Sequence, residues 1–231
     1  LDFEQCARPT ISREDACQPG VAKAVEALPQ DDLCVKAARL LQAKTGCNRG
    51  VHIRLTKRIP TQAGLGGGSS DAATCLIALN RLWDTNLNRS ALMKLAAELG
   101  ADVPFFVFGQ TAWAEGTGDQ LQAMAIQPHE YQLIKPPSGI ETARIFQHPE
   151  LKRNTEPATI ESFAEHVNNG TEHQFGTNDL QPVAMQLCPN IGLALNWLKC
   201  GGLTPRMSGS GSTVFAALAV ASPVVLDLPT G

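Results

Sequence analysis

The chain has 231 residues, of which 43% are hydrophobic and 18% charged, with a formal net charge of −3 and a pI near 6.0. That balance excludes a disordered chain and supports one large domain or two small ones around a real core. It also excludes a general nucleic-acid binder, which presents a basic surface, yet leaves open a small phosphorylated ligand held by backbone amides.

Residues 1–30 show little periodicity and are broken by Pro9, Pro19 and Pro29, so they are predicted to be mostly irregular, with an edge strand near Leu1 to Gln5. Asp31 and Asp32 precede the apolar-periodic run from Leu33 to Leu41, which reads as a helix N-terminus, and Gly46 is its stop. Val51, Ile53 and Leu55 alternate with His52, Arg54 and Thr56, the pattern of a half-buried strand. Lys57-Arg58-Ile59-Pro60 leads out of it into a glycine-rich loop, and a helix is predicted from about Ser70, with Ala73, Leu76, Ile77, Ala78 and Leu82 at helical spacing. Asn88 or Ser90 caps the next helix, through Leu92, Leu95 and Leu99, and Gly100 ends it. Phe105 to Phe108 and Thr111 to Ala114 read as strand or short helix.

The pattern restarts at Tyr131, Leu133 and Ile134 as a strand, followed by the loop Pro136-Pro137-Ser138-Gly139. Surface helices are expected in the polar stretch from His148 to Gly176, and one helix from Val183 to Trp197, ended by Gly201-Gly202. A second glycine-serine loop, Ser208 to Ser212, runs into a strand at Val214, Phe215 and Ala216. It reads either as a tight turn before that strand or as a buttress closing beside the first loop. The apolar run Val214 to Leu228 is interrupted by Ser222, Pro223 and Asp227, so it reads as a short buried strand and a turn, not a membrane span. The chain starts at Leu1 and stops in a turn-like Pro229-Thr230-Gly231, and both ends read as cut. Seven scattered cysteines without a C-x-x-C pair read as reduced thiols of a cytoplasmic protein. The five histidines show no ligand spacing, so no metal-ligating side chains are expected, and Trp83, Trp113 and Trp197 are assigned to packing.

Chemistry concentrates in Gly64-Leu65-Gly66-Gly67-Gly68-Ser69-Ser70-Asp71. Glycines let a backbone turn through positive φ and approach a bulky anion, and the following helix offers unpaired N–H groups at the positive end of its dipole. The spacing is not that of a Walker A loop, because no Gly-Lys pair exists, and it does not fit G-x-G-x-x-G, which starting at Gly64 needs a glycine at Ser69.

The fuller string from Pro60 to Ala73 resembles the central motif of the GHMP small-molecule kinases, P-x-x-x-G-L-G-S-S-A-A. Its G-L-G-G-G-S-S-D-A-A form is similar to the branch of that family in the non-mevalonate isoprenoid pathway. Leu99 to Phe106 (L-G-A-D-V-P-F-F), Ala114 to Asp119 (A-E-G-T-G-D), Phe146 to Asn154, Asn178-Asp179-Leu180 and Met207 to Ser212 resemble further family motifs, in order, over about residues 28–220. The resemblance implies an α+β fold in two lobes. A ribosomal-protein-S5-like, ATP-binding domain would occupy residues 1–127 and a ferredoxin-like substrate domain 128–231, each incomplete at its outer end. It implies an ATP-dependent kinase using Mg²⁺ to phosphorylate the tertiary alcohol of a small-molecule cytidine diphospho-sugar alcohol, with neither nucleic acid nor membrane as partner.

Residue by residue, the resemblance makes Asp102 the catalytic base; helix N-capping is the plainer reading of the same position. Lys57 would lie near the adenine, Pro60, Thr61, Gln62 and Ala63 would belong to the ATP-binding residues, and amides of Gly64, Leu65, Gly66, Gly67, Gly68, Ser69 and Ser70 would cradle the phosphates, the two serine hydroxyls donating to phosphate oxygens or helping to hold Mg²⁺. A solvated charge is the alternative for Lys57, and a structural turn for the loop. Phe146 would stack on the cytosine, with a core phenylalanine equally consistent, and Thr142 would neighbour the diphosphate. Asp32 stands where the family often has asparagine near adenine. The family's P-A-K-[IL]-N-L strand, with its lysine, and its G-[FY]-H segment have no counterpart in this chain, which is therefore expected to transfer phosphate poorly as it stands. A homoserine- or mevalonate-type GHMP kinase, a non-catalytic nucleotide-binding fragment and an α+β protein without a ligand are the competing readings.

Overall fold

The computed structural model describes residues 1–17 and 28–218, and the chain divides into two compact units. The first comprises Leu1–Thr61 and Gly66–Ala125; the second comprises Gln62–Leu65 and Ile126–Gly231. Helices and three small sheets together give the α+β class the sequence implies.

In the first unit, β1 (Asp2–Cys6) and β2 (Ile11–Cys17) flank β3 (Gly50–Lys57), β1 antiparallel and β2 parallel to it. The expected alternation holds on β3, where Val51, Ile53 and Leu55 point into the core. Residues 11–17 are not irregular, however: they pair with β3 along their whole length, from Ile11 opposite Val51 to Cys17 opposite Lys57. Ser12, Arg13, Glu14 and Asp15 hide this strand from a periodicity reading, as charged side chains on an edge strand do. Its polar face is stitched to β3 by Ser12 Oγ with His52 Nδ1 at 2.9 Å and by Glu14 with Arg54 at 3.5 Å.

Helix α1 (Leu33–Thr45) is capped as the sequence predicts: Asp32 Oδ1 accepts the Val35 N–H at 3.1 Å, and Gly46 closes it in the left-handed region. Helix α2 (Gly67–Leu82) starts three residues before the expected Ser70, because Gly67 and Gly68 already belong to its first turn. Asn88 caps α3 (Arg89–Leu99) through its bond to the Ala91 N–H, and Pro104 sits in the first turn of α4 (Val103–Phe108). A hairpin of β4 (Ala112–Glu115) and β5 (Gln120–Ala123) completes the unit. Its core joins Val51, Ile53 and Leu55 to Ala38 and Leu41 of α1, Leu76 and Leu79 of α2, and Val103 and Val107 of α4. Trp83 is buried there with its indole N–H donating to Gly50 O at 3.3 Å.

The second unit is built on an antiparallel sheet in which β8 (Val214–Ala217) lies between β6 (Tyr131–Ile134) and β7 (Arg206–Met207). Among the described residues its α-helices are α5 (Thr142–Phe146), α6 (Ile160–Asn168), α7 (Gln181–Leu187) and α8 (Pro189–Cys200). The single helix expected from Val183 to Trp197 is two, since Pro189 cannot donate into a continuing helix and instead opens α8. Ile145, Val183, Ile191, Leu195, Leu198, Met207 and Val214 form its core.

The part of the apolar run beyond Leu218 lies outside the described residues, and no helix among them is long and apolar enough to cross a membrane. Cys34, Cys75 and Cys188 are buried free thiols. The Cys34 thiol is pushed far up from its ordinary value by its hydrogen bond with Cys75 and by burial.

Candidate functional site

The glycine-rich loop leaves β3 through Pro60 and Thr61 and becomes helical at Gly67. Gln62, Gly64 and Gly66 all take positive φ, at 51°, 68° and 66°. Gly66 caps α2 without any side-chain bond, and the first intrahelical donor is the Ser70 N–H, to Gly66 O at 2.8 Å. The N–H groups of Gly67, Gly68 and Ser69 thus have no acceptor within the helix, and the positive end of a 16-residue helix stands behind them. This is the arrangement an anion requires.

Two of the glycines answer to the protein itself rather than to a ligand. A Cβ on Gly66 would lie 2.6 Å from the Phe106 ring of α4, and one on Gly64 would lie 2.2 Å from the carbonyl oxygen of Ser208. The crowding at Gly64 comes from the second glycine-serine loop, which pairs with the first: Ser208 Oγ donates to Gly64 O at 2.7 Å, Thr213 N to Ala63 O at 3.1 Å and Ser212 N to Gln62 O at 3.3 Å. Ser208 to Ser212 therefore form a buttress rather than a mere turn, and it bears on residues Gln62 to Leu65. Asn178, the first residue of the N-D-L motif, holds that second loop by donating to Met207 O at 2.9 Å and Gly209 O at 2.8 Å.

Lys57 is not a solvated charge. It is buried at the end of β3, and its Nζ lies 2.5 Å from Asp71 Oδ2 on the second turn of α2. The pair pins the start of α2 to the sheet. Asp71 is visible in the glycine motif, but its partner can be found only from the register that turns Lys57 inward.

Asp102 stands at the N-cap position of α4, exposed, and its side chain makes no capping bond. Simple capping therefore does not account for this carboxylate. Helix α4 packs on the first turn of α2 through Phe106, one turn after Asp102, so the first unit brings Asp102, Lys57 and residues 66–70 into one packed group of elements. The A-E-G-T-G-D turn adjoins this group, as a Cβ on Gly118 would come 3.2 Å from Ala101 O. Within that turn Asp119 Oδ1 accepts from the Thr117 hydroxyl and N–H, which hold its carboxyl below the usual range.

In the second unit Thr142 opens α5, and its Oγ1 lies 2.7 Å from Ser210 Oγ of the glycine-serine loop. Phe146, one turn on, is 54% exposed, so it is not a core phenylalanine. Arg153 fixes its backbone by donating to Phe146 O at 2.6 Å. Asp32, by contrast, is committed to capping α1 and to Arg13, whose Nη1 is 2.5 Å away.

Among known protein families, residues 32–110 match the GHMP kinases N terminal domain and residues 151–222 the GHMP kinases C terminal domain. A protein of Acidovorax ebreus named 4-diphosphocytidyl-2-C-methyl-D-erythritol kinase is 51% identical over 222 residues, covering 94% of this chain and 74% of its own. A protein of the same name from Polaromonas sp. strain JS666 is 53% identical over 220 residues, covering 94% and 71%. Among solved structures, a 4-(cytidine 5'-diphospho)-2C-methyl-D-erythritol kinase superposes with a TM-score of 0.68 at 33% identity, over 93% of this chain and 75% of that one. A homoserine kinase from Cytophaga hutchinsonii reaches a TM-score of 0.67 at 18% identity, over 94% and 75%, a likeness of fold alone. The motif order, the two matched domains and relatives at about half identity agree: this chain belongs to the GHMP kinases, a family of ATP-dependent small-molecule phosphotransferases, on the branch of the 4-diphosphocytidyl-2-C-methyl-D-erythritol kinases.

Proposed function

We propose that this protein transfers the γ-phosphoryl group of ATP to the 2-hydroxyl of 4-diphosphocytidyl-2-C-methyl-D-erythritol, a step of isoprenoid biosynthesis. The observation that carries the reading is the start of α2: amides of Gly67, Gly68 and Ser69 without intrahelical acceptors, entered through left-handed Gly66, against which α4 packs with an uncapped Asp102 carboxylate at its N-terminus. Phosphoryl transfer asks a protein mainly to position the reactants and to stabilise charge.

Amides of the Gly64 to Ser70 stretch, above all those of Gly67, Gly68 and Ser69, cradle the β- and γ-phosphates, with the α2 dipole favouring the anion. Lys57, on the adenine side, is tethered to Asp71 and holds that turn in place. Asp102 accepts the hydroxyl proton as the oxygen attacks, the role of a general base. Phe146 presents an open aromatic face to the cytosine ring, and Thr142 neighbours the substrate diphosphate. Oxygen donors suit Mg²⁺, and the hydroxyls of Ser69 and Ser70 in the first turn of α2 would help to hold it alongside phosphate oxygens. When bound, Mg²⁺ supplies neutralisation of phosphate charge.

The test compares turnover of the cytidine diphospho-alcohol with turnover of mevalonate and homoserine by the full-length protein, alongside calorimetry with a non-hydrolysable ATP analogue. A preference of about 10³-fold or more in kcat/KM for the cytidine substrate is expected, the scale on which buried polar recognition discriminates. Faster turnover of mevalonate or homoserine, or analogue binding without turnover of any alcohol, would overturn the assignment.

A further inference from the structure

Three side chains that no sequence spacing connects meet in the second unit. His129 lies in the segment before β6, while Glu172 and His173 belong to the 3-10 turn Glu172–Gln174 that follows α6. Each offers a donor atom, and all three atoms lie within 4.8 Å of one another. We propose that His129, Glu172 and His173 bind one divalent transition-metal ion of the zinc class.

The site is built rather than incidental. Its two halves are anchored to neighbouring strands of one sheet. The segment before β6 is held where Leu218 N donates to Glu130 O at 2.8 Å, and the 3-10 turn is held where the Arg206 guanidinium of β7 donates to the carbonyl oxygens of His173 and Phe175. Arg206 is thus spent on backbone carbonyls, with its guanidinium carbon 5.7 Å from the centroid of the Phe215 ring.

Glu172 is 7% exposed, and its Oε1 lies 2.7 Å from His129 Nε2. Its other oxygen, Oε2, and His173 Nδ1 are both buried without a hydrogen-bond partner. Leaving such atoms unpaired is costly, and native structures leave few of them unexplained. A metal ion satisfies both at once.

The donor set then selects the ion. Two imidazoles and one carboxylate suit Zn²⁺ and its neighbours, whereas Mg²⁺ and Ca²⁺ prefer all-oxygen surroundings. Bonds of about 2.0–2.2 Å to a tetrahedral centre space the ligands roughly 3.3–3.6 Å apart, so small side-chain rotations close the cluster onto an ion. The His129 side chain is 17% exposed, which gives the ion a way in and leaves a fourth position for water. Gln174, whose Nε2 is placed 3.2 Å from His173 Nε2, completes the outer shell: with its amide turned to present oxygen it accepts the Nε2–H and leaves Nδ1 for the metal. None of these residues belongs to the phosphate-loop elements, and the ion would act as a staple between the segment before β6 and the 3-10 turn.

The experiment titrates the EDTA-stripped full chain with Co²⁺, followed by its visible d–d bands, and with Zn²⁺, followed by the thermal midpoint. One equivalent of Co²⁺ is expected, with the bands of a four- or five-coordinate ion and without the intense near-ultraviolet charge transfer of cobalt–thiolate bonds. The midpoint should rise with Zn²⁺ and fall back with EDTA. His129→Gln and His173→Gln should each weaken the metal by about 100-fold or more, as loss of a direct ligand exceeds the outer-shell effect. Glu172→Gln, which keeps the shape of the turn, provides the same readout should a histidine variant misfold. Absence of stoichiometric binding, thiolate bands, or binding unchanged in all three variants would overturn the proposal.

Discussion

The buried pair of Lys57 and Asp71 gives the sharpest energetic prediction. The Lys57 side chain is 7% exposed and that of Asp71 23%, with 2.5 Å between the charged atoms. Asp71→Ala strands a buried ammonium group at the end of β3; removing one partner of a buried pair costs about 3–5 kcal/mol. The Asp71 end opens toward solvent, so water entering the vacated space sets the expected loss near the lower bound, about 3 kcal/mol. Lys57→Met leaves a carboxylate that is already partly hydrated and lies in the N-terminal half of α2, where the dipole favours it; this loss should be only about 1–2 kcal/mol. The double replacement Lys57→Met with Asp71→Leu removes both charges and should return to within about 1 kcal/mol of the parent. Urea unfolding monitored by tryptophan fluorescence reads these values, with Trp83 buried in the same core. Equal single losses below about 0.5 kcal/mol would mean a solvent-screened pair and would refute the reasoning.

The remaining expectations concern the loops and the substrate. Gly66→Ala should weaken binding of an ATP analogue at least about tenfold, since alanine at φ 66° costs about 1–2 kcal/mol and its methyl meets the Phe106 ring at 2.6 Å; calorimetry should also find only partial recovery when Phe106→Ala is added, which relieves the clash and not the strain. Asn178→Ala removes the bonds to Met207 O and Gly209 O and should lower stability by about 1–3 kcal/mol, with KM for ATP rising as the second glycine loop loosens. Phe146→Ala should raise KM for the cytidine substrate by about tenfold to 100-fold and spare that for ATP, whereas Phe146→Trp should keep both near the parent values in steady-state assays.

Much of this structure is legible in the sequence, and the exceptions share a cause. Helix α1 can be read from Asp32, its apolar face and Gly46, and β3 from strict alternation, because each signal is local. The polar strand β2 cannot, since what makes residues 11–17 a strand is their register against β3. Pro189 carries a local signal for the break between α7 and α8, masked by apolar spacing that runs through it. At the site, the anion-holding turn is legible and the reason for its glycines only in part: Gly64 and Gly66 are crowded by Ser208 and Phe106, residues distant in sequence. Lys57 reads as a solvated strand end because its partner sits a loop and a helix turn away. Histidine spacing gives no hint of His129 meeting Glu172 and His173 across 43 residues, a juxtaposition made by the sheet that anchors both segments.

The most direct test of the central claim is Asp102→Asn, assayed for phosphoryl transfer to the cytidine diphospho-alcohol and, separately, for binding of a non-hydrolysable ATP analogue. Because the Asp102 carboxylate makes no capping bond, its loss should leave the fold and analogue affinity unchanged within about twofold while lowering kcat by about 10²–10⁴. An Asp102→Asn enzyme that turns over at the parent rate would contradict the account.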